Sequence, residues 1–164
     1  MKNRIIIFLI YIFFFVPVLA ENLNIQSSII TVDKKTRITI FKDQVSVKDE
    51  KNNELLTESA EYNKDLQILK TFGKTTVMTS GGFTIDGQDI FFDNNENYIK
   101  SDSPATVLDL EKNKIYLDNF KYSTSDGFFK SAGKIEIIDS KNNKYNFSQI
   151  YIDEKKKEIV GTDS

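Results

Sequence analysis

With no His and no Cys in the chain, the side chains able to do chemistry are its carboxylates and hydroxyls. Asp86, Asp89, Asp93 and Glu96 form the densest acidic group. Oxygen-rich clusters suit hard cations, but the spacing Asp-x-x-Asp-x-x-x-Asp is not that of a calcium loop. Ser101 and Ser103 flank Asp102; a serine nucleophile needs a base to take its proton, and no imidazole is present to do so. Gly81-Gly82 lacks the lysine and helix of a phosphate loop and reads as a hairpin turn. Asn146-Phe147-Ser148 matches a glycosylation acceptor but lies in an ordinary strand pattern. No carboxylate pair suited to glycoside hydrolysis stands out. The expectation is a non-enzymatic protein with no catalytic residue, no metal site and no cofactor.

The remaining information is pattern. Phe (13) and Tyr (7) are plentiful and Pro is scarce (2), a strand-rich composition. The sequence repeats every thirty residues: Ile30-Thr31-Val32-Asp33, Ala60-Glu61-Tyr62-Asn63, Ile90-Phe91-Phe92-Asp93, Phe120-Lys121-Tyr122-Ser123 and Ile150-Tyr151-Ile152-Asp153. A second series is Val47, Val77, Val107 and Ile137, preceded at a fixed offset by Asp43, Gly73, Ser103 and Gly133. A third is Ile25, Leu55, Ile85, Ile115 and Tyr145. Each unit reads as two strands separated by Asn/Asp/Gly/Lys turns. Ten strands joined by short turns predict an all-β antiparallel meander.

The alternation breaks at a recurring place. Ile85 is followed by Ile90 and Phe92, Leu117 by Phe120 and Tyr122, Phe147 by Ile150 and Ile152. A period-2 strand changes face only through a bulge or bend. Small residues stand at that place in the alternate strands: Thr71 and Gly73, Ser101 and Ser103, Ser131 and Gly133. The pattern predicts long strands that bend midway, folding the stack like a V with two apolar inner walls. The stack would be roughly 45 Å long at ~4.8 Å per strand. Two other readings compete: a filled sandwich core without a ligand, and a structural β-solenoid or adhesin module binding protein or polysaccharide. The latter needs an outer ladder of aromatics, which Glu61 and Lys121 interrupt between positions such as Phe91 and Tyr151.

The first twenty residues differ from the rest. Lys2 and Arg4 precede the apolar run from Ile5 to Phe15, and Val18 and Ala20 provide small residues before Glu21. This is the pattern of a secretory signal cleaved after Ala20, so residues 1–20 are expected to be removed and 21–164 to form one exported domain. Lys+Arg 22 against Asp+Glu 24 gives a nearly balanced chain. The basic residues look scattered, no stripe of them interleaves with aromatics, and nucleic acid is not an expected partner.

Three phrases carry a family resemblance: Glu58-Ser59-Ala60-Glu61-Tyr62-Asn63, Phe72-Gly73-Lys74-Thr75-Thr76-Val77 and Ile85-Asp86-Gly87-Gln88-Asp89-Ile90-Phe91-Phe92-Asp93. Together with the repeat, they resemble the OstA-like periplasmic domain of the lipopolysaccharide transport proteins, found in LptA and at the amino terminus of LptD. The family's Ala-Asp is Ala60-Glu61 here, and its Gly-Asn-Val appears as Gly73-Lys74-Thr75 and Gly133-Lys134-Ile135. The resemblance implies an open V-shaped β-jelly roll in the periplasm of a Gram-negative cell. That fold shields the acyl chains of lipid A during outer-membrane assembly and joins other transport proteins through its edge strands. The implied groove walls are Leu55, Tyr62, Val77, Ile85, Ile90, Phe92, Val107, Leu117, Phe120, Tyr122, Ile135, Ile137, Phe147, Ile150 and Ile152. By the register, Ser164 falls within the tenth strand. This leaves an LptD-like amino-terminal piece and a free-standing LptA-like bridge both open, with attachment to the outer membrane expected in the first case.

Overall fold

The computed structural model describes residues 23–162; the signal expected over residues 1–20 lies outside them. The described chain is all-β, with fifteen strands. They are β1 (Asn24–Gln26), β2 (Ile29–Asp33), β3 (Ile38–Lys48), β4 (Glu54–Asn63), β5 (Ile68–Thr71), β6 (Lys74–Met78), β7 (Thr84–Gln88) and β8 (Phe91–Asp93), followed by β9 (Tyr98–Ser101), β10 (Ala105–Leu108), β11 (Lys114–Leu117), β12 (Phe120–Ser123), β13 (Phe128–Ile138), β14 (Lys144–Asp153) and β15 (Glu158–Thr162). Every pairing is antiparallel. The ten expected strands become fifteen because five of them break at the bend.

That bend divides the sheet into two halves. Half A holds β2, β5, β8, β9, β12 and β15, with residues 38–42 of β3, 59–63 of β4, 128–132 of β13 and 149–153 of β14. Half B holds β1, β6, β7, β10 and β11, with the remaining parts of those four long strands. The register slips between Lys42 and Val45 and again between Ala132 and Ile135, where β3 and β13 each carry one extra residue; the inward parity changes in their partners, from Leu55 to Tyr62 in β4 and from Phe147 to Ile150 in β14. Side chains take over where ladder bonds lapse. Ser101 Oγ donates to Gln88 O (2.7 Å), Ser131 Oγ to Asn119 O (2.6 Å), and Ile90 N donates to Thr71 Oγ1 (2.8 Å).

The repeat has a physical explanation in the turns. Asp33, Asn63, Asp93, Ser123 and Asp153 open the rim turns of half A, and each side-chain oxygen accepts from an amide two or three residues on. Each of these turns then places one residue in the left-handed region: Arg37, Gln67, Asn97, Gly127 and Lys157. Along the rim of half B, Asp49, Asp109 and Asp139 bind the backbone and side chain of Asn53, Asn113 and Asn143. Thr79 substitutes in the remaining unit, accepting from Phe83 N.

Gly133 holds the bend of β13 at φ 113°, and a Cβ there would lie 3.0 Å from an Asp118 carboxylate oxygen. Replacing Gly133 by Ala is expected to cost about 1–2 kcal/mol through backbone strain and crowding. A urea-unfolding series checks this; an unchanged midpoint would mean that the bend tolerates an ordinary residue.

Candidate functional site

Residues directly opposite on neighbouring strands share a face, so the register shows what each half presents inward. In half B, one row runs Ile25, Val47, Leu55, Val77, Ile85, Val107, Ile115, Ile137, Tyr145. The two thirty-residue series built on Val47 and Ile25 therefore interleave into a single apolar line. In half A, the facing row runs Val32, Thr39, Tyr62, Leu69, Phe92, Ile99, Tyr122, Phe129, Ile152, Ile159. Both rows cross the molecule from one edge of the sheet to the other.

All fifteen expected wall residues lie on the inner faces. Thirteen are buried; Tyr62 and Phe147 are half-buried at the margins. The same registers add Val45, Val47, Leu69, Ile99, Ala105, Ile115 and Phe129, all buried. Repeats at thirty residues pointed to some of these, but Leu69, Ile99 and Phe129 belong to a series that the apolar phrases left unmarked. Phe120 and Phe129 stack with centroids 5.6 Å apart.

The wall residues meet one another. Val77, Ile85, Ile90, Val107, Ile115, Ile135 and Ile150 have no exposed surface, and halves A and B form one continuous apolar cluster. The trough expected to stand open is closed along its middle, because the two walls bury each other in place of a ligand. Near the bend the lining is smaller and more polar: the Thr75 hydroxyl bonds to Thr71 (2.8 Å) and Thr57 (3.1 Å). Gly87 packs against Ile90, Ala105 and Phe120.

The ends differ from the middle. At the amino-terminal edge Ile30 and Val32 point inward, opposite Phe41 and Thr39, yet are 56% and 60% exposed. At the other edge Tyr145 and Ile159 face inward and are also exposed. Phe147 there lies over Gly161, where any Cβ would strike the ring. The contacts between rims are offset along the chain: Lys51 Nζ donates to Asn97 Oδ1 (2.6 Å), and Thr79 Oγ1 to Glu154 Oε1 (2.8 Å). Such offset is what the twist of each half produces when one is folded over the other.

Glu154 is the polar centre of this closure. Its second carboxylate oxygen accepts from the Tyr122 hydroxyl at 2.8 Å, and Gly81 leaves the space that the carboxylate occupies. Burial pushes the Glu154 carboxyl above its ordinary value, opposed by the bonds from Thr79 and Tyr122. Burial also raises Tyr122, reinforced by the Glu154 charge. A cavity of about 150 Å³ opens beside Glu154, lined by Phe83, Leu110, Ile152 and Ile159 among others. Its lining also carries Asp109, Glu111, Asp153 and Lys157, so a long acyl chain reaches the apolar interior only if the halves part.

The acidic group is dispersed by the fold. Asp86 accepts from Thr76 on the outer face of half B, Asp89 from Gly73 N at the bend, and Asp93 from Glu96 N at the rim of half A. They serve three separate backbone and side-chain contacts. The scattered lysines, in contrast, are gathered: Lys70, Lys100, Lys121 and Lys130 lie in one transverse row on the outer face of half A, beside Phe91 and Tyr151. The expectation that no basic stripe interleaves with aromatics is therefore corrected. The stripe is assembled from different strands, where a linear reading sees only isolated residues.

No protein-family model matches the chain, and no curated protein matches it. Among solved structures, it is similar to the crystal structure of LptH from Pseudomonas aeruginosa, described as the LptA-homologous periplasmic component of the conserved lipopolysaccharide transport device. The similarity covers 88% of this chain and 84% of that one, at 12% identity and a TM-score of 0.32.

Proposed function

We propose that this chain is a non-catalytic periplasmic carrier that shields the acyl chains of a lipopolysaccharide-type glycolipid between its two sheet halves. The observation that carries the reading is the pair of apolar inner rows running from edge to edge, with inward-facing Ile30, Val32, Tyr145 and Ile159 left uncovered at the two ends. Each methylene taken out of water contributes ~0.8 kcal/mol, so acyl chains replace wall-to-wall contacts without a large net loss. The resemblance in residues 58–63, 72–77 and 85–93 supports the same function. Edge strands β2 and β15 each pair on one side among the described residues. That leaves backbone groups free for strand addition by neighbouring transport proteins, whether this chain works as a bridge or as the amino-terminal domain of an outer-membrane protein.

A photo-crosslinking residue at Val32, Phe92 or Tyr122 is expected to label lipopolysaccharide in cells, whereas one at Tyr116 on the outer face of half B is not. Val32 matters here because its exposed position accepts the probe without disturbing the core. Labelling of proteins alone from all three inner positions would defeat the proposal.

A further inference from the structure

The two outer faces of the sheet are unlike. Across half B the middle outer row reads Gln26, Ser46, Leu56, Thr76, Asp86, Thr106, Tyr116, Glu136, Asn146, with two acids and no lysine. The corresponding row across half A reads Thr31, Ile40, Glu61, Lys70, Phe91, Lys100, Lys121, Lys130, Tyr151, Val160. Lys70, Lys100 and Lys130 recur thirty residues apart, and Lys121 falls between the last two in space. In a chain whose acids outnumber its bases (24 against 22), four lysines thus share one row of half A, whereas Lys48, Lys74 and Lys114 on the outer face of half B stand apart from one another, beside neutral or acidic residues.

Three of the four ammonium groups are held over rings. Lys121 Nζ sits 3.7 Å from the centre of the Tyr98 ring, while Lys100 and Lys70 lie 5.6 and 5.9 Å from that of Phe91. Phe91 and Tyr98 stack on each other, and Phe128 lies against Tyr151. Holding long side chains over rings removes part of the ordering cost of binding. Beyond Lys130 the row runs into a surface groove of about 530 Å³, lined by Lys121, Phe128, Lys130, Tyr151, Lys155 and Lys156 among others. The acids nearby are few. Asp102 is 3.5 Å from Lys100, Asp153 pairs with Lys156 at 3.2 Å, Asp126 lines the groove, and Glu61 stands at the start of the row.

We infer that this outer row binds an acidic oligosaccharide, a carbohydrate carrying carboxylate or phosphate groups. Lys100, Lys121 and Lys130 stand on three adjacent strands at ~4.8 Å spacing, comparable with the length of one pyranose ring, so successive acidic sugars meet successive ammonium groups. The rings whose faces would have to receive nucleobases are covered by lysines or by each other, which argues against a single-stranded nucleic acid. The inference does not depend on the interior reading, since the row lies on the opposite face of the sheet.

The test titrates the full chain with fluorescein-labelled oligogalacturonate, a neutral malto-oligosaccharide of equal length, a single-stranded oligonucleotide and phosphatidylglycerol vesicles. Oligogalacturonate should bind in a salt-sensitive manner, and the neutral sugar should not. Lys100→Gln with Lys121→Gln and Lys130→Gln should weaken binding about tenfold, as expected for three exposed charge contacts. The three corresponding Lys→Arg changes should retain it. Lys48→Gln with Lys74→Gln and Lys114→Gln, on the outer face of half B, should leave it unchanged. The inference is overturned if oligogalacturonate fails to bind, if both glutamine triples weaken it equally, or if the oligonucleotide or the vesicles bind more tightly through the same lysines.

Discussion

Leu55→Asp is expected to abolish cooperative folding, and Leu56→Asp, one residue along the same strand, to leave it intact. Leu55 is 2% exposed, between Val47 and Val77 in the inner row of half B. A carboxylate there has no partner, and an unpaired buried charge costs several kcal/mol. Loss of the leucine's own packing removes a further ~2–5 kcal/mol. Together these reach the whole stability of a typical domain, about 5–15 kcal/mol. Leu56 is 40% exposed, opposite Ser46 and Thr76 on the outer face, where a surface substitution changes stability by about 0.5 kcal/mol. Circular dichroism during urea unfolding separates the outcomes. A folded Leu55→Asp protein would mean that the inner faces are not pressed together in solution.

The second large effect concerns Glu154. Changing it to Ala removes the acceptor of the Tyr122 hydroxyl and the rim contact from Thr79, and a buried hydroxyl left without its partner costs about 1–3 kcal/mol. The pH dependence has a definite sign. Because the folded state raises the Glu154 pKa above 4.5, it holds the proton more tightly than the unfolded chain. The stabilisation from that proton is complete below 4.5 and is lost as pH rises through the raised value. Asp33, Asp139 and Asp153 act oppositely: backbone or side-chain hydrogen bonds lower each below 3.8, so their contribution is present above that value and falls away only in stronger acid. Between these windows, wild type should gain stability relative to Glu154→Gln as pH falls from neutrality towards 4.5. Parallel midpoints for the two proteins across that range would show that folding does not raise the Glu154 carboxyl above its ordinary value.

Much of the fold could be read from residue types. The turn positions Asp33, Asn63, Asp93, Ser123 and Asp153 announced the rim of half A because an oxygen on a short side chain satisfies turn amides locally. Gly73 and Gly133 announced the bend because each needs a left-handed backbone (φ 78° and 113°). The parity change from Ile85 to Ile90 announced that the strand crosses from one half to the other. Leu69, Ile99 and Phe129 were less legible, since each adjoins another apolar residue (Ile68, Tyr98 and Phe128) and only the strand beside it decides which of the two faces inward.

What the linear order of residues determined was the local and periodic part: strands, turns, the thirty-residue unit, and most of the side chains that face inward. These follow from hydrogen bonds and steric preferences acting over a few residues. Tertiary structure alone decided whether the two walls stand apart or touch, that Glu154 meets Thr79 and Tyr122, and that lysines thirty residues apart form one row. Those outcomes depend on the twist and stagger of whole sheet halves, which place residues far apart in the chain within hydrogen-bonding or van der Waals distance.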